Sequence, residues 1–141
     1  MKTQTVLGIL SVSILLLSSF SCSKSKTFPS TLEQLDDQPW QLHILSGGFG
    51  GLYQVGAEEI GYREEIHFYA NHTFQRFKNE DLVSRSGFDL RETTEANSIG
   101  AAYVLRLGDD AIPYFMAIRA DSLLLQAKDC ADCFNYVYLK K

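Results

Sequence analysis

The stretch Tyr62-Arg-Glu-Glu-Ile-His-Phe-Tyr-Ala70, followed by Asn71-His72 and Thr73-Phe-Gln-Arg-Phe-Lys78, decides the fold. Ile66 and Phe68 share one face and Glu65, His67 and Tyr69 the other, the period of two that marks a half-buried strand. Asn71-His72 reads as a tight turn, because Asn tolerates positive φ. The chain then returns through 73–78 as a second strand. Two registers are open. A two-residue turn sets Tyr69 opposite Phe74 and Glu65 opposite Lys78; a three-residue turn sets Phe68 opposite Phe74.

The same alternation extends in both directions. Upstream, Trp40, Leu42 and Ile44 alternate with Gln41 and His43 over 40–45. Downstream, strands are expected over 82–91, 99–107, 112–119, 122–127 and 134–139, joined by short polar turns. Residues 46–56, rich in glycine, read as a long flexible loop in which Phe49 and Tyr53 gate whatever lies beneath. Eight strands on short connections must be antiparallel neighbours, since a parallel return needs a long crossover. Closing such a sheet removes its exposed edges, so an all-β, eight-stranded antiparallel up-and-down barrel is expected, with a β-sandwich as the alternative. No internal repeat or low-complexity segment interrupts the pattern.

The first 22 residues carry a different signal. Lys2 precedes the apolar run 6–17, and Ser18-Ser-Phe-Ser-Cys22 follows. A basic start, a short apolar core and a small-residue exit make an export signal too short to span a bilayer. The cysteine at its end resembles a bacterial lipobox of the looser Bacteroidota kind. The resemblance implies a signal peptide over 1–21 and a lipidated Cys22, with acyl chains including palmitate holding the protein to a membrane. Lys24 and Lys26 stand where a surface-export signal would be acidic, so a periplasm-facing, outer-membrane anchor in the cell envelope is expected. Residues 22–38 then form a tether, with one helical turn at Thr31-Leu-Glu-Gln-Leu-Asp that Ser30 or Thr31 can cap. The barrel domain occupies 39–141, one domain by length.

Trp40 on an early strand, a glycine-rich first loop, eight strands in order and a last strand ending in Lys140-Lys141 together resemble the lipocalin-like (calycin) lipoproteins of bacteria. The resemblance implies a barrel able to hold one small ligand, with Lys140 in the place of the basic residue that closes over the tryptophan. The inward aromatic set, Trp40, Ile66, Phe68, Phe88, Tyr103, Tyr114 and Tyr136, is core by default. Ala70, Ala101 and Ala127 are small enough to leave room among it. The expected ligand pocket is Trp40, Phe49, Tyr53, Phe68, Phe88 and Tyr103.

Other constellations weigh against specific chemistries. Gly47-Gly-Phe-Gly-Gly51 lacks the helix start and the Lys-Ser/Thr of a phosphate loop. Cys130 and Cys133, with two residues between them in an exported chain, are expected to form a disulfide across the last hairpin. A redox pair would need a helix start, and zinc two further ligands. His43, His67 and His72 fall on outer faces or turns, and Glu58-Glu59 and Glu64-Glu65 read as solvated charges. No catalytic signature is present. The formal net charge of −4 disfavours nucleic acid. The expectation is therefore a lipid-anchored envelope protein, not an enzyme, with no cofactor and no metal, binding a small partly apolar molecule. The alternative is a structural or adaptor lipoprotein presenting its loops or outer face to an envelope protein partner.

Overall fold

The structure is a computed structural model and describes residues 30–36, 38–108 and 110–141. Nine strands follow a short helix: α1 Thr31–Asp36, β1 Trp40–Gly47, β2 Tyr53–Gly56, β3 Glu64–Tyr69, β4 Thr73–Lys78, β5 Asp81–Glu92, β6 Tyr103–Leu107, β7 Tyr114–Arg119, β8 Ser122–Ala127 and β9 Phe134–Lys140. Every pairing is antiparallel, and β9 returns to β1 with Trp40 opposite Lys140. The eight expected strands thus close into a barrel, and the sandwich is excluded. Closure pairs both edges of the ladder, which is how such a sheet avoids offering an edge to other chains.

The β3–β4 hairpin takes the three-residue turn, with Phe68 opposite Phe74 and Glu64 opposite Lys78. Positive φ falls on His72 (60°), and not on Asn71. The Asn71 side chain instead accepts from the backbone N–H and hydroxyl of Thr73, at 3.2 and 2.7 Å. This is an Asx turn, a second use of the same residue type in turns.

Residues 46–56 are not a loop throughout. Ser46 and Gly47 prolong β1, Phe49–Gly51 form a 3-10 turn, and β2 runs back with Val55 opposite Leu45. Gly47, Gly48, Gly50 and Gly51 all carry positive φ, so the glycines serve a tight reversal rather than flexibility. β2 takes the upper part of β1's edge, while β3 pairs with β1 only at Trp40 and Gln41. The strand expected from 99 begins at Tyr103. Asn97 holds 99–102 out of the sheet: its Oδ1 accepts from Ala101 N–H at 2.7 Å and its amide donates to the carbonyls of Glu95 and Ala101.

The helix within the expected tether forms and closes one end of the barrel. Ser30 Oγ accepts from Glu33 N–H at 3.2 Å while the Glu33 carboxylate accepts from Ser30 N–H, a reciprocal capping box. Leu35 is fully buried, and its carbonyl accepts from Trp40 Nε1 at 3.1 Å. Lys140 Nζ lies 5.6 Å from the centre of the Trp40 ring, the position expected of the closing basic residue.

Directly opposed residues face the same side of a sheet, so the register fixes the inward set. From Trp40 it runs through Ile66, Arg76 and Ser84, and through Phe88, Leu107, Tyr103, Met116, Leu125, Tyr136 and their alternate neighbours. Near α1 this set is dry and apolar. Trp40, Ile66, Phe74, Leu105, Met116 and Leu123 are all wholly excluded from solvent. A void large enough for water beside them would leave them accessible, so these six are close-packed, while Leu90, Tyr103 and Ile118 at the margin of the same half are partly exposed.

Candidate functional site

The other half of the barrel is built differently. Of its inward residues, Leu45, Arg76, Ser84, Ser86, Ala127 and Tyr136 are partly exposed, while Leu107, Tyr114 and Tyr138 are buried. Solvent therefore enters from the end formed by the β1–β2, β4–β5, β6–β7 and β8–β9 connections. This end of the interior, the pit, is a solvent-reached layer of side chains above an apolar floor.

The pit is polar. Glu64 lies on the Ile66–Phe68 face of β3, so its carboxylate points inward and accepts from the hydroxyl of Tyr138 at 2.7 Å. It was expected as a solvated charge beside Glu65; the period of two separates the pair instead. Glu65 stays outside between Arg63 Nη2 at 2.7 Å, Lys141 Nζ at 2.9 Å and His67 Nε2 at 3.5 Å. Burial pushes the Glu65 carboxyl up, but the bonds from Lys141 and Arg63, with the His67 ring nitrogen close by, outweigh it and hold it below its ordinary value.

Arg76, opposite Ile66, lies between two carboxylates. Its Nη1 and Nη2 donate to Asp110 at 3.4 and 3.2 Å, and its Nε is 4.0 Å from Glu64 Oε1. Burial disfavours the guanidinium charge, but the bond to Asp110 and the charges of Asp110 and Glu64 more than compensate, so Arg76 remains a cation. Tyr114 hydrogen-bonds Asp110 and meets the Tyr136 hydroxyl. The Tyr136 ring stands edge-on to Tyr114 at 5.9 Å and stacks on Tyr138 at 6.1 Å. Burial, then the nearby Glu64 charge, raises the Tyr136 and Tyr138 hydroxyls above the ordinary tyrosine value. Burial and Asp110 do the same for Tyr114. All three remain neutral hydrogen-bonding groups through the physiological range.

Around this pit exposed apolar side chains stand among charged ones such as Glu80, Asp81 and Asp132. Phe49 and Leu52 are 93% and 90% exposed, and Tyr53, Leu82, Val83 and Phe134 join them on the same end of the barrel. Tyr53 and Phe134 meet edge to face at 5.8 Å, linking the β1–β2 turn to the β8–β9 turn. Cys130 and Cys133 form the expected disulfide in that second turn. Lys78 Nζ sits 3.7 Å over the Tyr62 ring at the rim.

The expected pocket residues do not gather in one place. Trp40, Phe68 and Phe88 belong to the packed floor, with Phe68 and Phe88 in edge contact at 5.2 Å. Phe49 and Tyr53 stand on the rim. Tyr103 lines a shallow groove of about 230 Å³ on the closed end, with Thr31, Gln34, Met116 and Ile118. Of the three alanines, only Ala127 lies on the inward face of a strand. Cys22 lies outside the described residues. Among the described residues, no three His, Cys, Asp or Glu side chains gather as metal ligands, and no helix is long and apolar enough to cross a membrane.

Sequence reasoning missed Glu64, Arg76, Asp110 and Tyr138. For the first two a signal existed: Glu64 has the parity of Ile66 and Phe68, and the three-residue turn sets Arg76 opposite Ile66. Asp110 comes from a connection whose path no periodicity fixes. No protein-family model, curated protein or solved structure matches this chain.

Proposed function

We propose that this chain is a lipid-anchored protein of the cell envelope, held through an acylated Cys22 and facing the periplasm, whose barrel binds a small, partly apolar molecule in its open half. The role is binding rather than turnover, and it needs no cofactor. The observation that carries this reading is the polar layer of Glu64, Arg76, Asp110 and Tyr136, reached by solvent above the buried Trp40, Ile66 and Phe74. Sites for small molecules combine apolar walls with a few convergent polar groups, and this end of the barrel has both. Ser30 opens α1 at the closed end, so a tether from Cys22 would join the domain at the end opposite the mouth.

Native mass spectrometry of the chain released gently from its own envelope tests this. A reproducible extra mass is expected on the wild type and not on Ala127→Trp, which fills the pit. A clean mass for both rejects the ligand. Membrane fractionation tests the anchor: Cys22→Ser is expected in the soluble fraction, and an unchanged membrane fraction rejects lipidation.

A second reading is favoured by the rim. Phe49 and Leu52 are more exposed than a monomer needs, and apolar patches on a mouth also mark protein contacts. In that reading the barrel is an adaptor presenting its loops to an envelope protein. A photo-crosslinker at Leu52 that captures one defined envelope protein, with no bound small molecule, would support it.

A further inference from the structure

We infer that β2 is a docking edge for an extended segment of an envelope protein, uncharged over the four residues that β2 offers and preceded by Lys or Arg. The inference does not depend on the ligand reading. It rests on the second, protein-contact reading of the rim and names how that contact is made. The topology carries it. Every other strand has a neighbour on both sides, whereas β2 pairs with β1 alone. Among the described residues no strand meets its other edge. Alternate residues of a strand turn their backbone N–H and C=O to each side, so this edge keeps donors and acceptors for one more strand. Tyr53-Gln-Val-Gly56 has no charge, no proline and no bulge, the devices that keep a free edge from pairing.

The edge is held in place. Phe134, Gly47 and Tyr53 lie in one row across β9, β1 and β2, and with no side chain at Gly47 the two rings meet at 5.8 Å. A partner strand therefore spends little on ordering β2. Four residues give few backbone bonds, so side chains must add to them. Leu52, 90% exposed, and Tyr53, 47% exposed, stand at the start of β2 and supply apolar area. Cross-strand neighbours share a face, so aromatic or β-branched side chains suit the positions beside Tyr53 and Val55.

Charge then selects the partner. No residue from Ile44 to Ala57 is charged, and Glu58 and Glu59, both exposed, follow directly. A segment antiparallel to β2 enters beside Gly56, so the residues before its strand pass those two carboxylates, which attract Lys or Arg. A second copy of this chain fits less well. Two β2 strands paired antiparallel across a two-fold axis run their barrels in opposite directions. With α1 at the closed end of each, the tethers would leave at opposite ends, which two anchors in one membrane do not allow.

The test starts with the full chain in its own envelope, carrying a photo-crosslinker in place of Gln54, and maps the captured segment by mass spectrometry. A synthetic copy of that segment is then added to the full chain in lipid nanodiscs, and amide hydrogen exchange is followed over Tyr53 to Gly56. The open-side amides are expected to exchange about tenfold or more slowly with the peptide. The same peptide, N-methylated at the backbone nitrogens that face β2, is expected to give no protection. Glu58→Gln combined with Glu59→Gln is expected to weaken the unmethylated peptide about threefold at low salt, the size of an exposed charge contact. Unchanged exchange, or protection that survives N-methylation, overturns strand addition and leaves the protein-contact reading standing. So does capture from Leu52 but not from Gln54. An affinity indifferent to the two glutamates overturns the charge match. A cross-link to a second copy overturns the choice of partner. No capture from either position overturns both readings.

Discussion

Removing one oxygen atom tests the pit's wiring. Tyr138 is 1% exposed, and its hydroxyl donates to the Glu64 carboxylate at 2.7 Å. Tyr138→Phe keeps the ring, its stacking on Tyr136 and its packing, and deletes only that bond. Hydrogen bonds to charged groups contribute about 1.5–3 kcal/mol, and the lone pair left behind loses its donor. The Glu64 side chain is 12% exposed, so water recovers only part of the loss. The expected destabilisation is about 2 kcal/mol, a loss of roughly 1 M in urea midpoint at the slope usual for small domains. Tyr69→Phe is the control: its hydroxyl bonds Gln75 on the exposed outer face, and its loss should be near zero. The double variant with Glu64→Gln should be less destabilised than the two single changes added together, by about 1 kcal/mol or more. A Tyr138→Phe loss below about 0.5 kcal/mol, or strict additivity with Glu64→Gln, would refute the claim that this bond organises the site. The same tyrosine sets a sign for alkaline pH. Its folded-state pKa is raised, chiefly by burial, so its contribution is fully present below the unfolded value of about 10 and is lost as pH rises past it. Above about pH 10 the wild type should lose stability faster than Tyr138→Phe.

Other changes probe the frame around the pit. Gly47 has φ of 129°, and a Cβ there would press into the Cys133 carbonyl oxygen, so Gly47→Ala should lower stability by about 2 kcal/mol or more, read as Tm. Ser30→Ala removes the α1 cap and should cost about 1 kcal/mol in urea unfolding, with the strand signal in circular dichroism unchanged. Glu65 has its pKa held down by Lys141, His67 and Arg63 against the opposing pull of burial. Its contribution is therefore present above the unfolded pKa of about 4.3 and lost as pH falls through the lower folded value. Acid unfolding of Glu65→Gln should accordingly be shallower than that of the wild type.

Much of the barrel was legible because period-two alternation and short turns admit few architectures. The eight expected strands are those that close, and only their ends differ. Two readings failed for identifiable reasons. Gly47 to Gly51 look flexible by composition, yet positive φ at four of those glycines makes a tight reversal that lets Tyr53–Gly56 pair with β1. Glycine reports permission for such angles and cannot say whether the chain uses them. Glu64 looked solvated because charge overrode parity: a carboxylate on the Ile66–Phe68 face becomes tolerable only with Arg76 and Tyr138 beside it. Those partners are 12 and 74 residues away, so a local window cannot supply them. The expected pocket was aromatic, and the aromatics Trp40, Phe68 and Phe88 filled the floor instead. What the barrel leaves open is lined by the residues least expected inside it.

The most direct measurement is side-chain NMR of the full chain, with tyrosine, arginine and tryptophan labelled, titrated with a lipid extract of its own envelope. Binding in the open half of the barrel predicts saturable shifts at Tyr136, Tyr114 and Arg76, with the resonances of the packed floor, such as Trp40, unchanged. Shifts confined to the rim around Tyr53, or no shifts at any concentration, would contradict a ligand in the pit and leave the mouth as a surface for another protein.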